Sequence, residues 1–439
     1  MDFKKFSSIY EKSLKLLLIF LIIFIPYREV LSQFISSKVK ILPDLMVLAT
    51  FGLYIMKNKF RIKLNLTDLC YIGFLLVAFV STVFINKVGI KPYIVESRSI
   101  VLYYIVYFMV RNSKLTYKFY QVFARVMIYN TMIIALASFV ERITNKDILF
   151  PTAWANSIFY IDNFLRTYGV FNNPNTYGAY LLFSIITVFY LHRVLNIKVN
   201  RLFYMFSIVG IILTASRSSM IALGVFIVIA ALVTDTKTVV KSFAINIAAS
   251  IAIVFIINNV SVHYSSIITS INSKAKTKVS SNLQSSAIDR FNELSSANII
   301  SKSKTDGRIF SVLKGIEIFK ENPVLGTGFG TYGDAASLII TPKQYEKYEI
   351  SKGFYADNEY IKVLVETGSL GTLIYLLFLL SIMYNYRHNK LKITSCVILG
   401  FLGMFYNIFE VQILSFLFWI VLTLPEPESE RLTIPDRFN

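Results

Sequence analysis

The side chains in this 439-residue chain best placed to do chemistry are arginines and one Asp-Asn pair, each at the edge of an apolar run. Arg217 stands in Thr214-Ala215-Ser216-Arg217-Ser218, a very short polar turn between two apolar segments, and Arg98 opens another such segment. A guanidinium gives bidentate, permanently charged hydrogen bonds to phosphate oxygens, so both can hold a phosphate at a membrane boundary. The plain alternative is that they snorkel to lipid headgroups. Asp357 and Asn358 precede the apolar positions Tyr360, Ile361, Leu364 and Val365. Both are favoured helix N-caps, and a cap at a loop–helix junction is also held rigidly where a reactant can meet it.

The elements that must position these residues are membrane helices. Hydrophobic residues make up 55% of the chain and charged residues only 16%, well below the charge of a soluble domain. A span needs roughly 20 apolar residues, and about twelve such runs are present: near 14–35, 39–56, 68–86, 98–111, 119–141, 176–194, 202–216, 218–235, 242–259, 368–386, 392–409 and 411–425. The fold class expected is an all-α polytopic membrane protein. Lys and Arg cluster in alternate short loops: Lys4, Lys5, Lys12 and Lys15; Lys57, Lys59, Arg61 and Lys63; Arg111, Lys114 and Lys118; Arg193, Lys198 and Arg201; Arg387, Lys390 and Lys392. The positive-inside rule then places both termini in the cytoplasm and the loops 142–175 and 260–357 outside. Much of the net charge of +19 is this orientation signal rather than a nucleic-acid surface. The outer loops carry basic residues that orientation does not require, among them Arg166, Arg217, Arg290 and Arg308.

Three parts follow: an N-terminal bundle of about nine spans over 1–259, a large outer loop over 260–367, and C-terminal spans with a cytoplasmic tail over 368–439. Cys70 and Cys396 lie inside expected spans and His192, His263 and His388 are scattered, so no metal-ligand spacing occurs. The sequence Gly326-Thr327-Gly328-Phe329-Gly330 lacks the Lys-Ser/Thr of a phosphate loop and reads as a tight turn. Within the outer loop, 272–306 is a polar stretch rich in Ser, Lys and Asn. From Arg308 the apolar residues Ile309, Phe310, Leu313, Ile316 and Phe319 or Ile318 recur at helical spacing, as in an amphipathic helix lying on the membrane face. Asn322-Pro323 ends it, the segment around Tyr345 forms a second short helix, and Gly368 and Gly371 turn a re-entrant helix into the next span.

Taken in order, the motifs are Arg166…Gly169…Phe171-Asn172-Asn173-Pro174-Asn175, Thr214-Ala215-Ser216-Arg217, Arg308 with Asn322-Pro323-Val324-Leu325-Gly326-Thr327-Gly328, and Asp357-Asn358-Glu359-Tyr360 closing on Glu366-Thr367-Gly368-Ser369-Leu370-Gly371. Together they resemble the O-antigen polymerase and O-antigen ligase superfamily, multi-span glycosyltransferases with about a dozen spans and one large outer loop late in the chain. The resemblance covers most of the chain from Arg98 onward. Where the ligase branch commonly carries a histidine before the motif's Asn, this chain has Asp357, which is more similar to the repeat-unit polymerases of O-antigen, capsule and exopolysaccharide pathways.

The resemblance implies a donor sugar carried on undecaprenyl pyrophosphate and polymerised, as oligosaccharide repeat units, at the outer face of the cytoplasmic membrane. It implies no cofactor and no metal, and, beyond the lipid bilayer, partners among the chain-length regulator and flippase of the same pathway. Arg217 and Arg308 would neutralise the leaving pyrophosphate with Arg98 and Arg166, while Asp357 serves as base or orients the acceptor. Asn175, Asn358 and Tyr360 would contact pyrophosphate and sugar, and Tyr348, Tyr355, Phe159 and Tyr160 either stack on sugars or form an interfacial belt. A carboxylate near arginines is expected to have a low pKa and to be a weak base. The alternatives are a ligase, differing only in acceptor, and a lipid-linked oligosaccharide flippase. A transporter would show repeated halves and midplane charges, whereas here Arg125 is the clearest charge within a span and Glu410 sits near a short turn.

Overall fold

The computed structural model describes residues 3–144, 146, 166–234, 236–271 and 307–426. The polar stretch 272–306 with Arg290, the aromatics Phe159 and Tyr160, and most of the loop 142–175 lie outside the described residues. Among the described residues every regular element is helical. In chain order these are α1 (Phe3–Phe34), α2 (Leu42–Lys57), α3 (Leu66–Phe79), which continues as a π-helical turn over Val80–Ile85, α4 (Ile90–Arg111), α5 (Tyr117–Ile143), α6 (Pro174–Leu195), α7 (Arg201–Leu213), α8 (Arg217–Val233) and α9 (Thr236–Ile271). Then come α10 (Arg308–Glu321), α11 (Ala335–Ile339), α12 (Gln344–Lys347), α13 (Glu359–Asn385), α14 (Lys390–Gly403) and α15 (Gln412–Thr423).

Among the described residues, seven helices are long and apolar enough to cross a membrane, and three shorter apolar helices, α7, α8 and α15, add to them. Each expected span coincides with one of the fifteen helices, so the all-α polytopic reading holds. Outward-facing Leu232, Phe255, Leu373 and Leu380 are more than half exposed, as lipid-facing side chains should be. The sequence misplaced some boundaries. Helix α4 begins at Ile90 rather than near 98, because Glu96 and Arg98 interrupt the apolar run without interrupting the backbone ladder. Helix α9 runs through residue 259. Helix α13 starts at Glu359 after the Asn358 cap and kinks at Gly368 (φ 65°, ψ −168°), as expected of a re-entrant helix that turns there.

The chain forms two compact units that interleave in sequence. The first comprises Met1–Leu14, Asp44–Lys114 and Ala297–Asn439; the second comprises Lys15–Pro43 and Leu115–Ser296. In the second unit α5, α6, α7, α8 and α9 pack together, with α6 almost wholly buried. Its start follows from its sequence: the Asn173 side chain accepts from Asn175 N at 2.8 Å, and Pro174 occupies the first turn, where its missing N–H is no loss.

In the first unit α3 packs on α13 and α4 on α15. The short helices α10 and α12 form where periodicity placed them, and Asn322 ends α10. Helix α10 turns Ser311, Gly315 and Ile318 inward and leaves Ile309, Leu313 and Ile316 facing out. The glycine-rich segment after it is a tight turn, as expected, with positive φ at Gly326, Gly328 and Gly330. It is stitched to the kink of α13 through Thr327 N to Val365 O (2.9 Å), Gly328 N to Glu366 O (2.8 Å) and Ser369 N to Pro323 O (2.8 Å). A Cβ at Gly326 would lie 2.5 Å from Gly368 N, and one at Gly368 would lie 2.4 Å from Val324 C. The two glycine motifs, far apart in sequence, therefore exist to let two backbones touch. On the other side the turn is held by the π-helical end of α3, where Ser81 Oγ donates to Leu325 O and Thr82 Oγ1 accepts from Phe329 N (2.6 and 2.8 Å).

Candidate functional site

The second unit holds Arg166, Asn175 and Arg217. Arg166 is buried and bridges two helix ends: its Nε donates to Thr214 O at 2.7 Å, after α7, and its Nη2 donates to Asn175 Oδ1 in the first turn of α6. Beyond Thr214 the chain passes through Ala215, a non-glycine residue in the left-handed region (φ 50°), before Ser216 and Arg217 open α8. Such a conformation costs about 1–2 kcal/mol and fixes the direction in which α8 starts. Ser216 N donates to Thr214 Oγ1 (3.2 Å), and Ser216 Oγ lies 3.0 Å from Ser219 Oγ. The first turns of α6 and α8 are side by side, because Gly178 has no Cβ; one would lie 2.9 Å from Ser219 Oγ. Arg217, half-buried, is the first residue of α8.

Two residues that the sequence reading passed over complete this arrangement. Glu141, fully buried at the end of α5, accepts from Tyr168 N (3.0 Å), Gly169 N (2.7 Å) and Lys146 Nζ (2.7 Å). Lys146 Nζ also donates to Arg166 O at 2.6 Å. Burial pushes the Lys146 ammonium below its ordinary range, against the pull of Glu141. Their signal in sequence is Glu141-Arg142-Ile143-Thr144-Asn145-Lys146 at the mouth of a span, a pattern that a charged helix end produces without any function.

The first unit holds the other candidates. Asp357 is half-buried and, like Ala215, sits in the left-handed region (φ 48°). The expectation that arginines would hold its pKa low is overturned: burial raises it above the ordinary 3.8, Arg308 pulls it down by less, and Glu410 pushes it further up. Asp357 is thus a stronger base than its sequence neighbourhood implied. Arg308 opens α10; its guanidinium lies 5.1 Å over the Phe405 ring, its Nη2 donates to Phe405 O at 3.4 Å, and its buried Nε has no partner.

Asn358 is the N-cap of α13, its Oδ1 accepting from Tyr360 N and Ile361 N (both 3.1 Å) while Nδ2 donates to Met404 O (3.3 Å). The Tyr360 hydroxyl donates to Gly400 O at 2.7 Å, and its ring lies against Gly403. Both side chains are therefore engaged within the fold. Arg98 is ion-paired with Asp44 at the start of α2. Tyr355 donates to Glu410 Oε2 (3.2 Å) and Tyr348 belongs to the apolar cluster under α10 with Ile318, Tyr332 and Tyr345.

The helices and these two polar groups define a multi-pass α-helical membrane protein with arginines held at helix ends and a carboxylate on a loop–helix junction. Residues 202–376 match the family model described as O-antigen ligase, which supports membership of the O-antigen ligase and polymerase superfamily. The matched stretch contains Arg217, Arg308, Asp357, Asn358 and Tyr360; Arg98, Arg166 and Asn175 precede it. No curated protein matches the sequence. Members of this family are glycosyltransferase-like enzymes acting on lipid-linked sugars in a membrane.

Proposed function

We propose that the protein polymerises polyprenyl-pyrophosphate-linked oligosaccharide repeat units at the outer face of the cytoplasmic membrane. The growing chain is transferred as a block to the non-reducing end of a new unit. The observation that carries this reading is the second unit's cationic turn: the adjoining N-termini of α6 and α8, with Lys146, Arg166 and Arg217 gathered there and, among the described residues, Glu141 beside Lys146. Helix N-termini and guanidinium groups favour a multiply charged anion. A pyrophosphate carries such charge and gains more as it leaves the sugar C1, so preorganised donors stabilise the transition state over the ground state.

Arg217 meets the pyrophosphate, with Arg166 and Asn175 fixing the turn that presents it. Asp357, with its raised pKa and left-handed backbone, accepts the proton of the acceptor hydroxyl, and Arg308 orients that carboxylate or a phosphate oxygen through its unpartnered Nε. Asn358 and Tyr360 act by fixing the start of α13, on which Asp357 depends. Arg98, held by Asp44, is the candidate with a competing duty. Asp357 in place of a histidine favours polymerase over ligase. The lipid-pyrophosphate donor and the absence of a metal in the transfer step belong to this proposal.

The test is the size distribution of surface and lipid-linked glycan in a deletion strain complemented with wild type, Arg217→Ala or Asp357→Ala. The proposal predicts a full ladder with wild type and single repeat units with either variant. Long polymer stranded on the lipid carrier in the deletion strain would mean a ligase, and units trapped on the inner leaflet would mean a flippase.

A further inference from the structure

The first unit buries a second polar assembly, one the glycosyl-transfer reading does not use. Lys362, in the first half of α13, lies 2.9 Å from Glu96 Oε1, 2.6 Å from Glu410 Oε1 and 3.9 Å from Glu359 Oε1. Glu366, one turn further along α13, accepts on Oε1 from Gly330 N, Thr331 N and Tyr332 N (3.1, 3.0 and 3.1 Å). Gly330 N also donates to Asp334 Oδ2 at 2.7 Å. Four carboxylates, Glu96, Glu359, Glu366 and Glu410, therefore lie around one ammonium, and Asp334 adjoins Glu96 and Glu366. Backbone N–H groups satisfy hydrogen bonds but bring no net charge, and uncompensated buried charge is strongly unfavourable.

The unpartnered atoms identify what is missing. Glu96 Oε2, Glu359 Oε2, Glu366 Oε2 and the amide oxygen of Asn407 have no hydrogen-bond partner, and each of these residues is at most 1% exposed. Asn407 is not an acid, and its Nδ2 donates to Glu410 Oε1 and Gly333 O (2.9 and 3.0 Å), which places the residue against the same assembly. Two of these orphans, Glu96 Oε2 and Glu366 Oε2, belong to carboxylates of one cluster and call for an electron-pair acceptor, a cation or a proton. Carboxylate oxygens of Glu96, Asp334 and Glu366 all lie within 4.8 Å of one another. That spacing lets one cation reach all three residues, and an all-carboxylate donor set suits a hard, oxygen-preferring divalent ion such as calcium or magnesium.

We propose that Glu96, Asp334 and Glu366 bind a hard, oxygen-preferring divalent cation, for which Ca²⁺ is the probe, that clamps the Gly330–Asp334 turn onto α4 and α13. The ion sits among side chains that touch no reacting atom in the proposed transfer, and the inference stands whether the enzyme is a polymerase or a ligase. It would make the turn's position depend on cation supply, while Lys362, Glu410 and Glu359 form an ion-paired shell beside it.

The test uses the full-length protein in detergent, stripped with chelator, then equilibrated with Ca²⁺, passed over a desalting column and assayed for retained metal. Tb³⁺ replaces Ca²⁺ in a parallel sample, with emission excited through tyrosine. The proposal predicts about one retained Ca²⁺ per chain, a melting temperature that rises saturably with Ca²⁺, and Tb³⁺ emission quenched by added Ca²⁺. Glu96→Gln and Asp334→Asn, which keep shape, should weaken the metal by roughly tenfold or more; should either fail to fold, the wild-type stoichiometry decides. No retained metal, with a melting temperature indifferent to Ca²⁺ but raised by acid, would show that protons neutralise the carboxylates and would overturn the proposal.

Discussion

The two compact units bury charge of opposite sign. Among the described residues, Arg142, Lys146 and Arg166 of the second unit lie around the buried carboxylate of Glu141, while in the first Glu96, Glu359, Glu366 and Glu410 lie around the buried ammonium of Lys362. Among the described residues each arrangement gathers an excess of one sign, and such an excess in a low-dielectric interior favours a partner of the other sign. The cationic group, placed at two helix N-termini, suits the anion proposed for it. The anionic group, with its orphaned oxygens, suits the cation proposed for it. Both units also hold a non-glycine residue in the left-handed region beside their key side chain, Ala215 before Arg217 and Asp357 itself. Strain of this kind is retained where direction matters more than stability.

The comparison is broken most severely by removing the single counter-charge. Lys362→Met leaves the first unit's carboxylates unopposed, and an unpaired buried charge costs about 3–5 kcal/mol; thermal melts in detergent should show a large fall or no folded protein. The mirror substitution, Glu141→Leu, removes the acceptor of Tyr168 N, Gly169 N and Lys146, and should destabilise the second unit by a comparable amount. If Glu141→Leu is neutral while Lys362→Met is lethal, the two surpluses are not equivalent devices. Next comes Arg217→Ala, expected to lower transfer by about 10²–10³-fold with little change in melting temperature. Arg217→Lys keeps the charge but loses the fork, and should recover only part of the activity.

The pH dependence sharpens the first unit's side. Asp357 has a raised folded-state pKa, so between 3.8 and that value the folded protein holds a proton the unfolded chain has released. Stability contributed by this group is fully present below 3.8 and is lost as pH rises through the folded pKa. Activity runs the other way: the base is ready only above the folded pKa, so the acid limb of the rate profile should lie above the ordinary aspartate range and vanish in Asp357→Asn. The smallest effects are expected at the residues engaged by the fold. Asn358→Ala should cost about 1 kcal/mol through the lost cap, and Tyr360→Phe about 0.5–1.5 kcal/mol through the lost bond to Gly400 O. Both should leave the KM for acceptor nearly unchanged, whereas a sugar-stacking Tyr360 would show itself in KM.

Hydropathy made the membrane helices legible, and the Asn-Pro stop after α10, the N-cap at Asn358 and the turn at Gly326–Gly330 were legible from local chemistry. These features depend on neighbours within a few residues. What was not legible is pairing over long separations. Glu96 and Lys362 are 266 residues apart and meet only once α4 and α13 are placed. Read along the chain, each is a polar interruption of an apolar run, which is why the expected start of α4 lies eight residues late. Glu141 is hidden for the same reason: its partners at 168 and 169 are 27 and 28 residues away in sequence. The rise in the Asp357 pKa was likewise hidden, since sequence shows the arginines but not the burial that outweighs them.

The central claim is that the cationic turn carries the leaving pyrophosphate while Asp357 activates an acceptor that is itself a lipid-linked unit. The most direct measurement supplies purified protein in nanodiscs with one defined polyprenyl-pyrophosphate-linked repeat unit, and no other acceptor, and follows chain length and free polyprenyl pyrophosphate together. The account predicts that chains lengthen by whole units, that one carrier is released per unit added, and that Arg217→Ala and Asp357→Asn stop both. Carrier release only when a separate, non-lipid-linked acceptor is added would contradict it and favour the ligase reading.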